Sequence, residues 1–343
     1  MRHLLNTLFV LTEDSYLALE GENVLVLREE ETLARFPLHT LEGIVYFGYR
    51  GASPALMGAC AKHDISLCFM TPNGRFLARV CGETRGNVLL RKKQYDVCDK
   101  EEDSCLIARC SIAGKLYNAR WVLERATRDH APRVDVERLK AVSLSLAESA
   151  RVASGAAALD LLRGIEGEAA TRYFGVLDEL FLQNKEAFFF QTRSRRPPLD
   201  NVNAMLSFAY SLLAHDCAAA LETVGLDPYV GFMHRLRPGR ASLSLDLMEE
   251  LRPCFADRFV ISCVNNRIVQ PRDFLKQASG AVTLTDGGRK AFLSAYQERK
   301  REPIIHPFLN EKVPWGLVPY LQALLLARHL RGDLDAYPPF LWK

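Results

Sequence analysis

The sequence predicts an α+β protein: a small β-strand-rich N-terminal domain at 1–95, a polar linker at 96–104, and a larger all-α C-terminal domain at 105–343. Three observations carry this. Over the first 95 residues, short apolar or β-branched runs alternate with turn-forming clusters. The run Asp96-Val97-Cys98-Asp99-Lys100-Glu101-Glu102-Asp103 is polar, acidic and aperiodic. Beyond it, apolar residues recur at helical spacing almost to the C-terminus. At 343 residues the chain exceeds the size at which a single core keeps growing, so two domains are expected.

Strands are expected at Leu8 to Leu11, Tyr16 to Leu19 and Val24 to Arg28, joined by hairpin connections at Glu13-Asp14-Ser15 and Glu20-Gly21-Glu22-Asn23. Gly43-Ile44-Val45-Tyr46-Phe47-Gly48 reads as a buried strand between glycines. Ser53-Pro54 offers a helix cap followed by a proline preset for the first turn, with the helix running to about Lys62. Ile65 to Met70 and Phe76 to Val80 flank the turn Pro72-Asn73-Gly74. Helices are then expected at roughly 105–130, 135–162, 162–185, 200–224, 243–266, 287–300 and 314–332. Asp200 caps one of them after Pro197-Pro198, and Tyr337-Pro338-Pro339-Phe340 forms an extended tail.

With 44 basic and 41 acidic residues the chain is nearly neutral, which excludes a polycation while permitting local basic patches. No apolar run reads as a membrane span, and Met1-Arg2-His3-Leu4-Leu5 lacks a secretory core. The nine cysteines include no C-x-x-C pair, so reduced, mostly buried thiols and a cytoplasmic location are expected.

Candidate chemistry starts at Leu162-Arg163-Gly164-Ile165-Glu166-Gly167-Glu168-Ala169-Ala170-Thr171-Arg172-Tyr173-Phe174. Two helix-interior glycines cost about 1 kcal/mol each, which suggests that something approaches that backbone closely. At about 100° per residue, Ala169, Ala170 and Tyr173 share the face of Glu166, while Glu168 points away. His234 follows Gly231-Phe232-Met233 and precedes a run holding Arg235, Arg237 and Arg240 without an acid. A neutral imidazole beside arginines makes sense if the arginines serve another partner, such as phosphate. In Ser242-Leu243-Ser244-Leu245-Asp246-Leu247-Met248-Glu249-Glu250-Leu251-Arg252-Pro253, Asp246 and Glu249 share a helix face, with Glu250 beside them. Taken alone, that segment reads better as an ordinary amphipathic helix with a solvated acidic side. Taken together, two carboxylates and an imidazole suit Mg²⁺ or Mn²⁺, and such an ion among arginines is equipment for phosphoryl transfer on nucleic acid.

Gly164-Ile165-Glu166-Gly167 with Ala169-Ala170 and Tyr173, Asp200 with Asn203-Ala204-Met205-Leu206-Ser207-Phe208-Ala209-Tyr210, Gly231-Phe232-Met233-His234, and Ser242 with Asp246-Leu247-Met248-Glu249 and Arg252-Pro253 occur in that order. Together they closely resemble the CRISPR-associated protein one family, the metal-dependent integrase and nuclease of spacer acquisition. The likeness extends over nearly the whole chain, and its length, cysteines and Leu330-Arg331-Gly332 ending resemble the type I-C branch.

The resemblance implies that Glu166, His234 and Glu249 hold the ion, with Asp246 close behind and Asn203 and Tyr210 lining the DNA side, where Tyr173 also falls. It also implies dimerisation through the N-terminal domain, and CRISPR-associated protein two as a bridging partner. The expected reaction is transesterification, in which a 3′-hydroxyl of a captured DNA duplex attacks a phosphodiester at the border of a repeat. Integration of both ends of one duplex takes two active sites at fixed separation, hence a homodimer. Arg193, Arg195, Arg196, Arg235, Arg237 and Arg240 are expected phosphate contacts, a solvated basic face being the alternative. Glu168 and Glu250 are expected to be dispensable. The rival functions are a metal-dependent nuclease of branched DNA in repair and a non-catalytic DNA-binding scaffold.

Overall fold

A computed structural model describes residues 7–12, 14–29, 31–72, 76–82 and 88–343. The N-terminal pentapeptide, Glu13 and the Asn73-Gly74 turn lie outside the described residues. The N-terminal region holds β1 (Thr7–Val10), β2 (Tyr16–Glu20), β3 (Asn23–Arg28), β4 (Glu31–Pro37), β5 (Gly43–Phe47), α1 (Pro54–Lys62), β6 (Ser66–Met70) and β7 (Phe76–Arg79). As expected, β2 and β3 form a hairpin in which Glu20 pairs with Asn23 and Gly21 takes a positive φ. The connection after β1 is no hairpin. β1 instead runs parallel to β5, with Leu8 opposite Ile44, in the sheet β1-β5-β6-β7. The reason is β5 itself: every residue of that strand is buried, so it needs a ladder partner on both edges. β4, which extends β2-β3 into a separate antiparallel sheet, escaped the sequence reading because its side chains are mostly exposed and only Ala34 and Phe36 pack against the core. At α1 the Ser53 hydroxyl accepts from the Leu56 amide at 3.2 Å, ahead of Pro54, as the sequence implied.

The chain continues through α2 (Val88–Cys98), α3 (Glu101–Asp129), α4 (Val136–Ser154), α5 (Leu159–Val176), α6 (Asn201–Thr223), α7 (Ser242–Glu249), α8 (Arg258–Asn265), α9 (Asp286–Arg301) and α10 (Val318–Arg331). The interval expected as a linker is helical at both ends. Only Asp99 and Lys100 separate α2 from α3, and Glu101, Glu102 and Asp103 form the first turn of α3, where acids complement the helix dipole. The helix expected over 243–266 is interrupted by a π-helical stretch at Arg252–Asp257. Pro253 has no N–H to close an α-helical bond there, and the Ala256 amide reaches back five residues to the Leu251 carbonyl at 3.4 Å. The larger region is mostly helical but not purely so. β8 (Phe274–Lys276) pairs with β9 (Val282–Leu284), and β10 (Pro303–Ile305) with β11 (Lys312–Pro314); at three residues each they fall below any periodicity signal.

One hydrophobic core runs from the four-stranded sheet into the helices: Val45, Phe47, Cys68 and Met70 join it, and Phe47 meets Phe208 of α6 edge-on at 5.9 Å between ring centroids. α6 is long and apolar enough to span a membrane by composition alone, yet 67% of its most apolar window is buried inside the protein. Its Asp200 cap accepts from the Asn203 amide at 2.7 Å. All nine cysteines are free thiols, six of them buried. The tail is extended but not loose: Tyr337, Phe340 and Trp342 are buried, and the Trp342 ring lies under the guanidinium groups of Arg125 and Arg258.

Candidate active site

On α5, Ala169 and Tyr173 face the core, Glu166 sits half-buried at its edge, and Glu168 is exposed and paired with Arg172. Gly164 and Gly167 have open space where a Cβ would stand, so nothing within this chain needs their smallness.

The irregular segment before α7 carries His234, and a close approach of backbone to helix sets its position. A Cβ on Gly231 would lie 2.7 Å from Asp246 Oδ2 and from the Ser242 carbonyl carbon, so only glycine fits. Asp246 then organises the turn. Its Oδ2 accepts from the amides of Phe232 (2.6 Å) and Met233 (3.0 Å), and its Oδ1 accepts from the His234 amide at 3.1 Å. Oδ1 also meets His234 Nδ1 at 2.5 Å. A carboxylate only accepts, so Nδ1 carries a proton, which in a neutral ring leaves the lone pair on Nε2. That Nε2 faces Glu249 Oε1 at 3.9 Å.

Glu249, buried at the end of α7, is surrounded by cations. Arg252 NH2 lies 3.1 Å from its Oε1, and Lys115 Nζ lies 2.7 Å from its Oε2. The Lys115 ammonium also pairs with Glu166, bridging the two acids. Burial pushes the Glu249 carboxyl upward, but Arg252 and Lys115 outweigh it and hold the group below the usual carboxylate range. Burial lowers the Lys115 pKa, but Glu249 and Glu166 outweigh that effect and hold it above the usual lysine value.

Among the described residues no three His, Cys, Asp or Glu side chains stand close enough to hold an ion as they are placed. The donors nevertheless fit a divalent cation. Two hard carboxylates meet an imidazole whose free nitrogen is oriented by a carboxylate behind it. Glu249 Oε2 is a buried oxygen with an ammonium nearby but no aligned hydrogen bond.

The remaining candidates separate by burial. Tyr173 and Tyr210 both donate to Asp257, at 3.1 and 2.5 Å, and Tyr173 is buried, so both hydroxyls are engaged within the protein. Burial raises the Asp257 carboxyl to about 6 against the lowering effect of those hydroxyls. Asn203 is buried, its side chain held by Thr192, Asp200 and Arg193. Arg193 turns inward to Asn203 (2.7 Å) and Ser207 (3.0 Å), with its guanidinium over the Tyr210 ring. Arg195, Arg196, Arg235 and Arg237 are exposed, Arg240 is half-buried, and Arg235 reaches Asp160 at 3.2 Å. Glu250, expected on a solvated acidic side, is fully buried: it accepts from Tyr337 Oη, from Gln322 Nε2 at 3.1 Å and from the Phe340 amide at 2.6 Å. α7 has no solvated side, because α3, α6 and α10 pack around it.

Sequence reasoning missed Lys115, Arg252 as a partner of Glu249, and Asp257. The one available signal was a lysine inside the otherwise core-like run Ser111-Ile112-Ala113-Gly114-Lys115-Leu116.

Comparison with known proteins gives a consistent outcome. A family model described as CRISPR associated protein Cas1 matches residues 8–298. The protein called CRISPR-associated endonuclease Cas1 2 of Rhodospirillum rubrum is 51% identical over 347 residues, covering all of both chains. CRISPR-associated endonuclease Cas1 1 of Chlorobaculum tepidum is 48% identical over 343 residues, again covering all of both. Among solved structures, a casposase bound to integration product shares the fold with a TM-score of 0.84 at 21% identity, over 98% of this chain and 94% of that one.

Proposed function

The chain belongs to the Cas1 family, and from that premise we propose that it is a divalent-metal-dependent DNA endonuclease and integrase that inserts captured DNA into a CRISPR array by transesterification. The observation that carries this reading is that Glu166 of α5 and Glu249 of α7 share the Lys115 ammonium, while His234, from the segment before α7, faces Glu249 Oε1 through Nε2 at 3.9 Å and meets Asp246 through Nδ1.

Glu166, His234 Nε2 and Glu249 would hold the ion. Mg²⁺ or Mn²⁺ bound there supplies charge stabilisation at the attacking oxygen and the phosphorane-like transition state. The protein's own groups do the rest. Asp246 keeps a proton on Nδ1, so that in the neutral ring Nε2 presents its lone pair as a ligand. Arg252 keeps Glu249 ionised, so that its oxygens remain ligands. The exposed Arg195, Arg196, Arg235 and Arg237, with Arg240, suit phosphates of the DNA backbone. In the transfer step a DNA 3′-hydroxyl forms a new phosphorus–oxygen bond while the displaced strand leaves as a 3′-hydroxyl, so no net phosphodiester is consumed. Two such centres in a homodimer would serve the two ends of one duplex. Family membership supports CRISPR-associated protein two as the bridging partner, and chain length, cysteine content and the Leu330-Arg331-Gly332 ending support the type I-C branch.

The test is strand transfer of a short duplex into a repeat-bearing target, with and without divalent ions, for the wild type and Glu166→Ala. Loss of transfer in the variant with duplex binding intact is expected. A fully active Glu166→Ala protein would overturn the assignment and favour the scaffold.

A further inference from the structure

Lys115 has no part in the reaction as written, yet it stands at the centre of the pocket. It projects from α3, whose residues on either side, Gly114 and Leu116, are buried. Gly114 itself is there because α3 runs close to the end of α7: a Cβ on it would lie 3.3 Å from the Glu250 Cβ. That close approach delivers the lysine to the two acids, and its ammonium bridges Glu166 and Glu249. A buried lysine is costly unless its charge is matched, and here both partners are residues that would bind a divalent ion.

On the metal reading given above, we propose that Lys115 is the internal cation of this pocket: its ammonium holds Glu166 and Glu249 together without a divalent ion, and entry of the ion displaces it. The surroundings allow the exchange. If Lys115 leaves, Glu249 keeps Arg252 at 3.1 Å and Glu166 keeps access to water. The charge count changes in the useful direction. With Lys115 in place, two carboxylates balance Lys115 and Arg252. With a divalent ion in its stead, two negative charges face three positive ones, and the surplus suits a phosphodiester. Asp246 stays outside this count, its charge taken up by three backbone amides and His234.

Lys115→Met keeps the stem and removes the charge. Titration calorimetry with Mn²⁺ should give about tenfold tighter binding for the variant than for the wild type, because no competing cation has to leave. In chelator the variant should melt below the wild type, and saturating Mn²⁺ should raise its melting temperature by more than it raises that of the wild type. A lysine that merely supported the structure would give the opposite sign, weaker metal binding on removal. Equal or weaker Mn²⁺ affinity in Lys115→Met, with wild-type binding normal, overturns the exchange and leaves the metal site standing. If neither protein binds Mn²⁺, the metal reading itself falls and takes the exchange with it. If Lys115→Met is unfolded in chelator, Mn²⁺ should restore its circular dichroism, and failure to do so counts against the proposal.

Discussion

Replacing Glu250 by alanine tests the part of the pocket that differs most from its sequence appearance. The carboxylate is fully buried and accepts from three donors, Tyr337 Oη, Gln322 Nε2 and the Phe340 amide, which tie the C-terminal tail to the end of α7. Stranding three buried donors at roughly 1 to 2 kcal/mol each predicts a loss of about 4 kcal/mol where the carboxyl is neutral. Burial raises that carboxyl from 4.5 to about 7. The folded protein therefore binds the proton more tightly than the unfolded chain between these values, so the stability contributed by Glu250 falls as pH rises through this window. The fall amounts to about 3 kcal/mol, at 1.36 kcal/mol per pKa unit. Across the range tested, the destabilisation by Glu250→Ala should thus be largest near pH 5, at about 6 °C in Tm, and shrink to about 1 °C by pH 8. Thermal melts of both proteins at pH 5, 6, 7 and 8 measure the gap directly. Because every other titrating group is common to both proteins, the pH dependence of the gap isolates Glu250. A gap that stays flat, or widens toward pH 8, refutes the reasoning. Below its Tm the variant should retain strand transfer, since Glu250 faces the tail while Glu249 pairs with Lys115 beside Glu166.

Gly231→Ala should abolish strand transfer and lower stability by about 2 kcal/mol or more, because the added carbon strikes Asp246 and the turn holding His234; unchanged melting and turnover would refute the packing account. Glu168→Ala should change neither activity nor Tm measurably, as the side chain is exposed and pairs with a neighbour on its own helix, Arg172. Replacing Arg235 and Arg237 together should weaken binding to unrelated duplexes alike and make the log–log salt slope shallower by about 2, whereas Arg193→Ala should act mainly on stability through Asn203 and Ser207. In a chelator titration followed by binding and strand transfer in one tube, transfer should stop while most duplex binding persists; simultaneous loss of both would show that the ion, not the arginines, holds the backbone.

Much of the site was legible because local rules act on contiguous residues. The helical face shared by Glu166, Ala169 and Tyr173, the caps at Ser53 and Asp200, and the turn carrying His234 all follow from spacing and backbone propensity. β4, the three-residue hairpins and the pairing of β1 with β5 were not legible, since they depend on ladder partners distant in sequence rather than on any pattern within the strand. The π-helical turn at Arg252–Asp257 had a local cause in Pro253, but its consequence, Arg252 and Asp257 both reaching Tyr210 from one turn, is a tertiary matter.

By itself, the sequence determined that a strand-rich region precedes a mostly helical one, and which carboxylate and imidazole side chains are on offer. Tertiary structure decided which carboxylate does what. Asp246, Glu249 and Glu250 lie within five residues on one helical segment and look alike as letters. Yet one is spent on backbone amides, one shares the Lys115 ammonium with Glu166, and one fastens the tail. The physical reason is that a carboxylate's role is set by its donors and by how far it is removed from water. Here those donors, Lys115, Gln322, Phe340 and the 232–234 backbone, arrive from four other parts of the chain.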